Sequence, residues 1–148
     1  MCSRQLASTT ANMLLSCALA ANAQPGHFTV PFEFTVGTTA LSRDIYSVAT
    51  DGTFRYVILR SVVTATVQPA RRRISESRHE PTLVFHRYGQ RYFLRRVFFA
   101  GRSWYLLRQT RQERVAKNQS RESAFGSAPV IVSIVAGRAS APTPRSSV

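Results

Sequence analysis

Cysteine is nearly missing from this 148-residue chain: there are two, Cys2 and Cys17. No thiol follows residue 17, which excludes a disulfide framework, a cysteine nucleophile and a thiolate metal site from the rest of the chain. Acidic residues are also scarce. The seven are Glu33, Asp44, Asp51, Glu76, Glu80, Glu113 and Glu122, too scattered for two-carboxylate glycoside chemistry. His27, His79 and His86 form no HxH or HExxH pattern, so no metal and no other cofactor is expected. The GxSxG elbow and the glycine-rich phosphate loop are missing too. The chain therefore reads as a non-enzyme. The weakest of the readings weighed is a hydrolase built on His79, Glu80 and His86. No apolar run approaches the roughly 20 residues that span a bilayer.

What is present begins at the N-terminus. Arg4 is a positive start, Met13 to Ala21 (MLLSCALAA) a short apolar core, and Ala21-Asn22-Ala23 a small-residue cleavage site. This is the pattern of a secretory signal peptide over residues 1–23, with Gln24 as the new N-terminus. The expected protein is exported, to the periplasm or beyond the cell. A minor alternative makes Leu14-Leu15-Ser16-Cys17 a lipoprotein box with a lipidated Cys17; the polar stretch before it, Gln5 to Asn12, is a poor apolar core.

The charge is strongly one-sided, with 20 Lys and Arg against seven acids and a net charge of +13. All of the basic residues are arginine except Lys117. A compositional bias of the genome would produce this, with arginines solvated on a β surface. Read functionally, arginine forks favour anionic partners such as polysaccharide or lipid head groups. The candidate anion-binding residues are Arg71, Arg72, Arg73, Arg78, Arg87 and Arg91.

Hydrophobic residues are 44% of the chain, enough for a folded domain, expected over residues 24–138. The dominant period is two. Phe28, Val30, Phe32, Phe34 and Val36 alternate with polar residues, and Pro31 marks an edge strand or a bulge. Further strands are expected at 44–50, 54–60 and 62–67, with Asp51-Gly52 as a turn. No turn is evident between Arg60 and Val62, which leaves one long bent strand open there. Residues 69–81 (PARRRISESRHEP) read as an exposed loop that is long enough to be functional. Residues 82–97 form the clearest hairpin, turning at Gly89-Gln90. In its second arm Tyr92, Leu94 and Arg96 share one face, and Phe93, Arg95 and Val97 the other. Neither face is purely polar, so the hairpin is expected to pack centrally. A short strand follows at 104–107.

One helix is expected, at 109–119, with Thr110 and Glu113 as a capping box. A last, buried strand is expected at 129–136, and a disordered Pro/Ser/Ala tail at 139–148. About eight strands and one short helix, with no βαβ rhythm, give an all-β fold, mainly antiparallel, as a small sandwich or barrel.

In the hairpin, Phe85, Tyr88, Tyr92 and Phe93 interleave with Arg87, Arg91, Arg95 and Arg96. Aromatic platforms between arginines suit single-stranded nucleic acid, which makes a nucleic-acid-binding module the alternative function. The same alternation fills the core of any hairpin, and an exported protein rarely meets nucleic acid as its ligand. The first reading is an exported β-domain that binds an anionic envelope component or a protein partner.

The segments Val30-Pro31-Phe32-Glu33-Phe34-Thr35-Val36-Gly37, Ile45-Tyr46-Ser47-Val48, Leu83 to Gly89 (LVFHRYG) and Tyr92-Phe93-Leu94, with Glu113-Arg114, carry a likeness. Together they resemble a group of small exported proteins of acidobacterial type, over roughly residues 30–116. The resemblance implies export and brings no activity or site with it. One departure is Ser42-Arg43-Asp44, where that group tends to have a Pro-Ala-Gly turn.

Overall fold

The computed structural model describes residues 26–123 and 128–137. The signal-peptide reading, both cysteines and the tail at 139–148 lie outside the described residues. Within them, the period-two segments become strands β1 (Gly26–Val30), β2 (Phe34–Val36), β3 (Thr39–Leu41), β4 (Asp44–Thr50) and β5 (Tyr56–Arg60). They are followed by β6 (Ala65–His79), β7 (Thr82–Tyr88), β8 (Arg91–Phe98) and β9 (Gly101–Leu107), then helix α1 (Arg111–Ser123) and β10 (Val130–Val135). The fold is all-β with one short helix, as expected.

One sheet runs β1-β4-β5-β6-β9-β8, with β7 on the other edge of β8 and β10 beyond it. The pairings are antiparallel except for one parallel contact, Thr35 of β2 with Phe93 of β8. The sheet is not closed into a barrel. A single hydrogen bond, from Gly137 N–H to His27 C=O (3.2 Å), ties β10 back towards β1.

Alternation explains the core. Phe28 and Val30, Phe34 and Val36, Tyr46 and Val48, Val57 and Leu59, Leu83 and Phe85 all point into one cluster. Leu94, Val97, Tyr105 and Leu107 complete it from β8 and β9. Fully burying each such aliphatic or aromatic side chain is worth about 1.5–3 kcal/mol over leaving it exposed. Phe32 stays on the same side between β1 and β2, stacked on Tyr92 at 3.9 Å.

Several expectations are corrected. Residues 28–36 are two strands, because Pro31 and the two residues after it leave the ladder before β2 pairs elsewhere. Past Val36 the chain stays in the sheet, because Gly37, at φ 61°, turns it back into β3. A turn does separate β5 from the next strand, closed by Ser61 N–H to Thr64 C=O (2.8 Å). Residues 69–81 are mainly strand. β6 pairs with β5 through Pro69 and with β9 from Ala70 onward. A ladder needs backbone groups, not apolar side chains, and β9 supplies them. Pro69 sits where one partner hands over to the other, so its missing N–H interrupts neither ladder internally. The last strand is an edge rather than a buried element: β10 pairs only with β7, and Val130, Ile131 and Val135 are exposed.

The Asp51-Gly52 turn forms as expected. The Asp51 carboxylate accepts from the Thr53 hydroxyl and from the backbone N–H groups of Thr53, Arg55 and Tyr56. These bonds, the Thr53 hydroxyl first, hold its pKa below the ordinary value.

Gly37 is the one turn glycine that also meets the interior. A Cβ there would run into the Gln68 side-chain amide, and the backbone is left-handed. Gln68 can swing aside, but the backbone penalty stays. Gly37→Ala should lower the unfolding free energy by about 1–2 kcal/mol in urea titration; an unchanged midpoint would contradict this.

Candidate anion-binding site

Alternation continues along β6 beyond Pro69. Ala70 is half-buried and packs against the core, so Arg71 and Arg73 lie on the outer face. On β9 the register sets Arg71 opposite Leu106 and Arg73 opposite Trp104. Leu106 and Trp104 share that outer face, because Tyr105 and Leu107 between and beside them are buried.

β8 contributes through an irregularity. Val84 pairs with Arg96 but Phe85 pairs with Leu94, so Arg95 is an extra residue, a β-bulge. The expected alternation of this arm breaks there. Val97 joins Leu94 in the core, and Arg95 and Arg96 both leave the core face, Arg96 towards solvent and Arg95 towards Glu113 with its side chain only 15% exposed. Arg96 lies over the Trp104 ring at 5.6 Å.

Arg71, Arg73, Arg95 and Arg108 come together around an open cleft of about 530 Å³. Pro69 and Leu106 give it apolar walls, and no carboxylate among the described residues lines it. Its size is that of a small-molecule site. A guanidinium group can grip phosphate, sulfate or carboxylate with two parallel bonds, so four arginines among the residues that line one cleft make it a candidate receptor for such anions.

Behind Arg95 sits Glu113, the one buried charged side chain among the described residues. Helix α1 brings it there by packing Ala116 on Tyr88 and Phe93. Thr110 caps the helix, its hydroxyl accepting from Glu113 N–H (3.3 Å). Only this half of the expected capping box forms. The Glu113 carboxylate turns inward instead, taking long bonds from the Tyr88 hydroxyl (3.4 Å) and Arg95 (3.5 Å). Arg95–Glu113 is the only ion pair among the described residues. Bonds of this length compensate burial incompletely. Desolvation therefore pushes the Glu113 pKa up, while Arg95, Tyr88 and Lys117 oppose the rise. His86 lies 3.4 Å from the Tyr88 hydroxyl; burial lowers its pKa, and Arg95, Arg96 and Lys117 add to that.

The other candidate arginines lie elsewhere. Arg72 bonds the Ser103 hydroxyl (3.0 and 3.2 Å) and covers Phe54. Arg78 falls where the β6–β9 register is irregular. Arg87 bonds the Gly89 carbonyl (2.7 Å), and Arg91 lies over Phe93 and lines a separate cleft that also contains Glu33. Arg95 and Arg108 were not among the candidates. The bulge that turns Arg95 off the core face leaves no mark in residue types, and Arg108 becomes relevant only through the β6–β9 pairing. His79 and His86 do not meet: His79 packs on Phe98 at 4.5 Å, whereas His86 faces Tyr88. No group of three His, Cys, Asp or Glu among the described residues could hold a metal.

The aromatics of the hairpin are engaged within the fold. Phe85, Tyr88 and Phe93 are buried, and Tyr92 is stacked on Phe32. A base would find no free ring there. No helix among the described residues is long and apolar enough to cross a membrane. No family model, no curated protein and no solved structure matches the chain.

The raised Glu113 pKa has a defined sign in stability. A carboxyl with a higher pKa folded than unfolded supports the fold while protonated, and that support is lost as pH rises through the folded value. Glu113→Gln holds the group neutral. The variant should gain stability relative to the unsubstituted chain as pH is raised from the ordinary carboxyl value of 4.5 towards neutrality, read by urea unfolding at each pH. His86 is present in both chains, so the difference isolates Glu113. A difference that does not change with pH would contradict the assignment.

Proposed function

We propose that this chain is an exported, non-enzymatic β-domain that binds an anionic component of the cell envelope, or an anionic face of a protein partner, through the arginine cleft. The observation that carries the reading is the convergence of Arg71, Arg73, Arg95 and Arg108 on one cleft that no carboxylate among the described residues lines. The excess of arginine over acid across the whole chain supports it, since a net charge of +13 draws anions towards the surface before the cleft selects among them. The signal-peptide pattern and the likeness to small exported proteins support a place outside the cytoplasm. Among the described residues that line the cleft, which are arginines, apolar residues and Gln109, none is a carboxylate, a histidine or a hydroxyl nucleophile, and this favours binding over catalysis.

Charge alone would hold this protein on any polyanion, so the test compares two variants of equal charge. Arg71→Ala/Arg73→Ala removes two cleft arginines. Arg111→Ala/Arg114→Ala removes two exposed arginines from α1. With dextran sulfate as the soluble probe at physiological salt, the cleft variant should bind at least tenfold more weakly and the helix variant within twofold of the unsubstituted chain. Equal losses would mean diffuse attraction and would remove the site.

A further inference from the structure

The outer face of β4, β5 and β6 carries an apolar surface that leads into the arginine cleft. Val57 and Leu59 of β5 are buried, so Tyr56, Ile58 and Arg60 face outward; Tyr46 and Val48 of β4 leave Ile45, Ser47 and Ala49 outward in the same way. The register lines up Ala49, Ile58 and Val67 in one row across the three strands, and Tyr56 with Pro69 in the next. Ile45 is 56% exposed, Tyr56 44% and Val67 56%. A sheet face of this composition is ordinarily covered. Val62 and Val63, at the tip of the same β5–β6 hairpin, are 97% and 80% exposed.

The borders of this face are basic. Arg60 closes the row nearest the tip, opposite Ala65. At the other end β6 passes from Val67 and Pro69 directly to Arg71 and Arg73. The nearest turn carboxylate, Asp51, is already engaged by its own turn. An apolar face with arginine at both ends, in a chain of net charge +13, is complementary to a surface that is apolar beneath and negatively charged above.

We infer that this face docks on an anionic lipid leaflet. The β5–β6 tip and the Ile45–Ile58–Val67 surface reach the acyl boundary, and Arg71 and Arg73 of the cleft take a lipid phosphate. The inference rests on the anion-binding reading of the cleft and names its partner. It needs no membrane-spanning element, only a one-sided contact at the interface.

The test is co-sedimentation of the purified full chain with vesicles of phosphatidylcholine alone or mixed with phosphatidylglycerol. Binding should be at least tenfold stronger to the mixed vesicles. Ile45→Asn/Val62→Asn/Val67→Asn keeps the charge and should weaken it at least tenfold. Val62→Trp, at a site with no packing to disturb, should strengthen it severalfold, which keeps the test decisive if the triple variant fails to fold. Vesicle binding that ignores both sets of substitutions would overturn the inference, because charge alone would then suffice. Binding to dextran sulfate through the cleft without binding to mixed vesicles would overturn the lipid partner and leave the anion site. Binding to neither would overturn both.

Discussion

The structure hangs on one strand. β6 is 15 residues long and changes partner midway, from β5 to β9, keeping its alternation through the hand-over at Pro69 and Ala70 before the register to β9 shifts past Ile74. Among the described residues it is the one strand that pairs with both the β1-β4-β5 half of the sheet and the β9-β8-β7-β10 half. Because the side-chain period of a strand is two, a slip of one residue would exchange its faces: Gln68 and Ala70 would leave the interior, and Arg71 would enter it. The arginine charge on β6 helps to prevent that slip. Burying a guanidinium without a partner is far more costly than leaving it in water. The same alternation that closes the core thus sets Arg71 and Arg73 on the outside beside Leu106 and Trp104.

The second device is the bulge at Arg95. One extra residue in β8 returns Val97 to the core and takes two consecutive arginines off the core face. Arg95 then meets Glu113, and the helix that carries Glu113 is seated by Ala116 on Tyr88 and Phe93. The buried carboxylate is poorly compensated by its long bonds, so the ion pair adds little net stability. Its effect is orientation: it holds Arg95 from behind while that residue lines the cleft in front. Helix, bulge and cleft are therefore one mechanical unit.

Much of the fold was legible in residue order. The alternation of Phe28 to Val36 located core residues correctly even though Pro31 divides the strand, because facing depends on the period and not on the ladder. The 82–97 hairpin and the Asp51-Gly52 turn were legible because Gly89, at φ 61°, and the Asp51 carboxylate act through local geometry. Residues 69–81 read as loop because their polar side chains say nothing of β9, a partner distant in sequence. The exposure of β10 was hidden for a similar reason, since an apolar strand looks alike at the centre of a sheet and at its edge. The site was half legible. Three adjacent arginines pointed to β6, but alternation separates Arg72 from its neighbours. Arg95 and Arg108 join only through a bulge and a long-range pairing.

The proposed anion receptor is made of four arginines, two on β6, one on β8 and one just past the end of β9. It is tested most directly by following arginine side-chain Nε–Hε signals by NMR while pyrophosphate is added to the purified protein. The signals of Arg71, Arg73, Arg95 and Arg108 should move together along one saturating curve, with those of Arg72, Arg87 and Arg91 nearly still. Shifts spread evenly over all the exposed arginines, with no saturation, would contradict it.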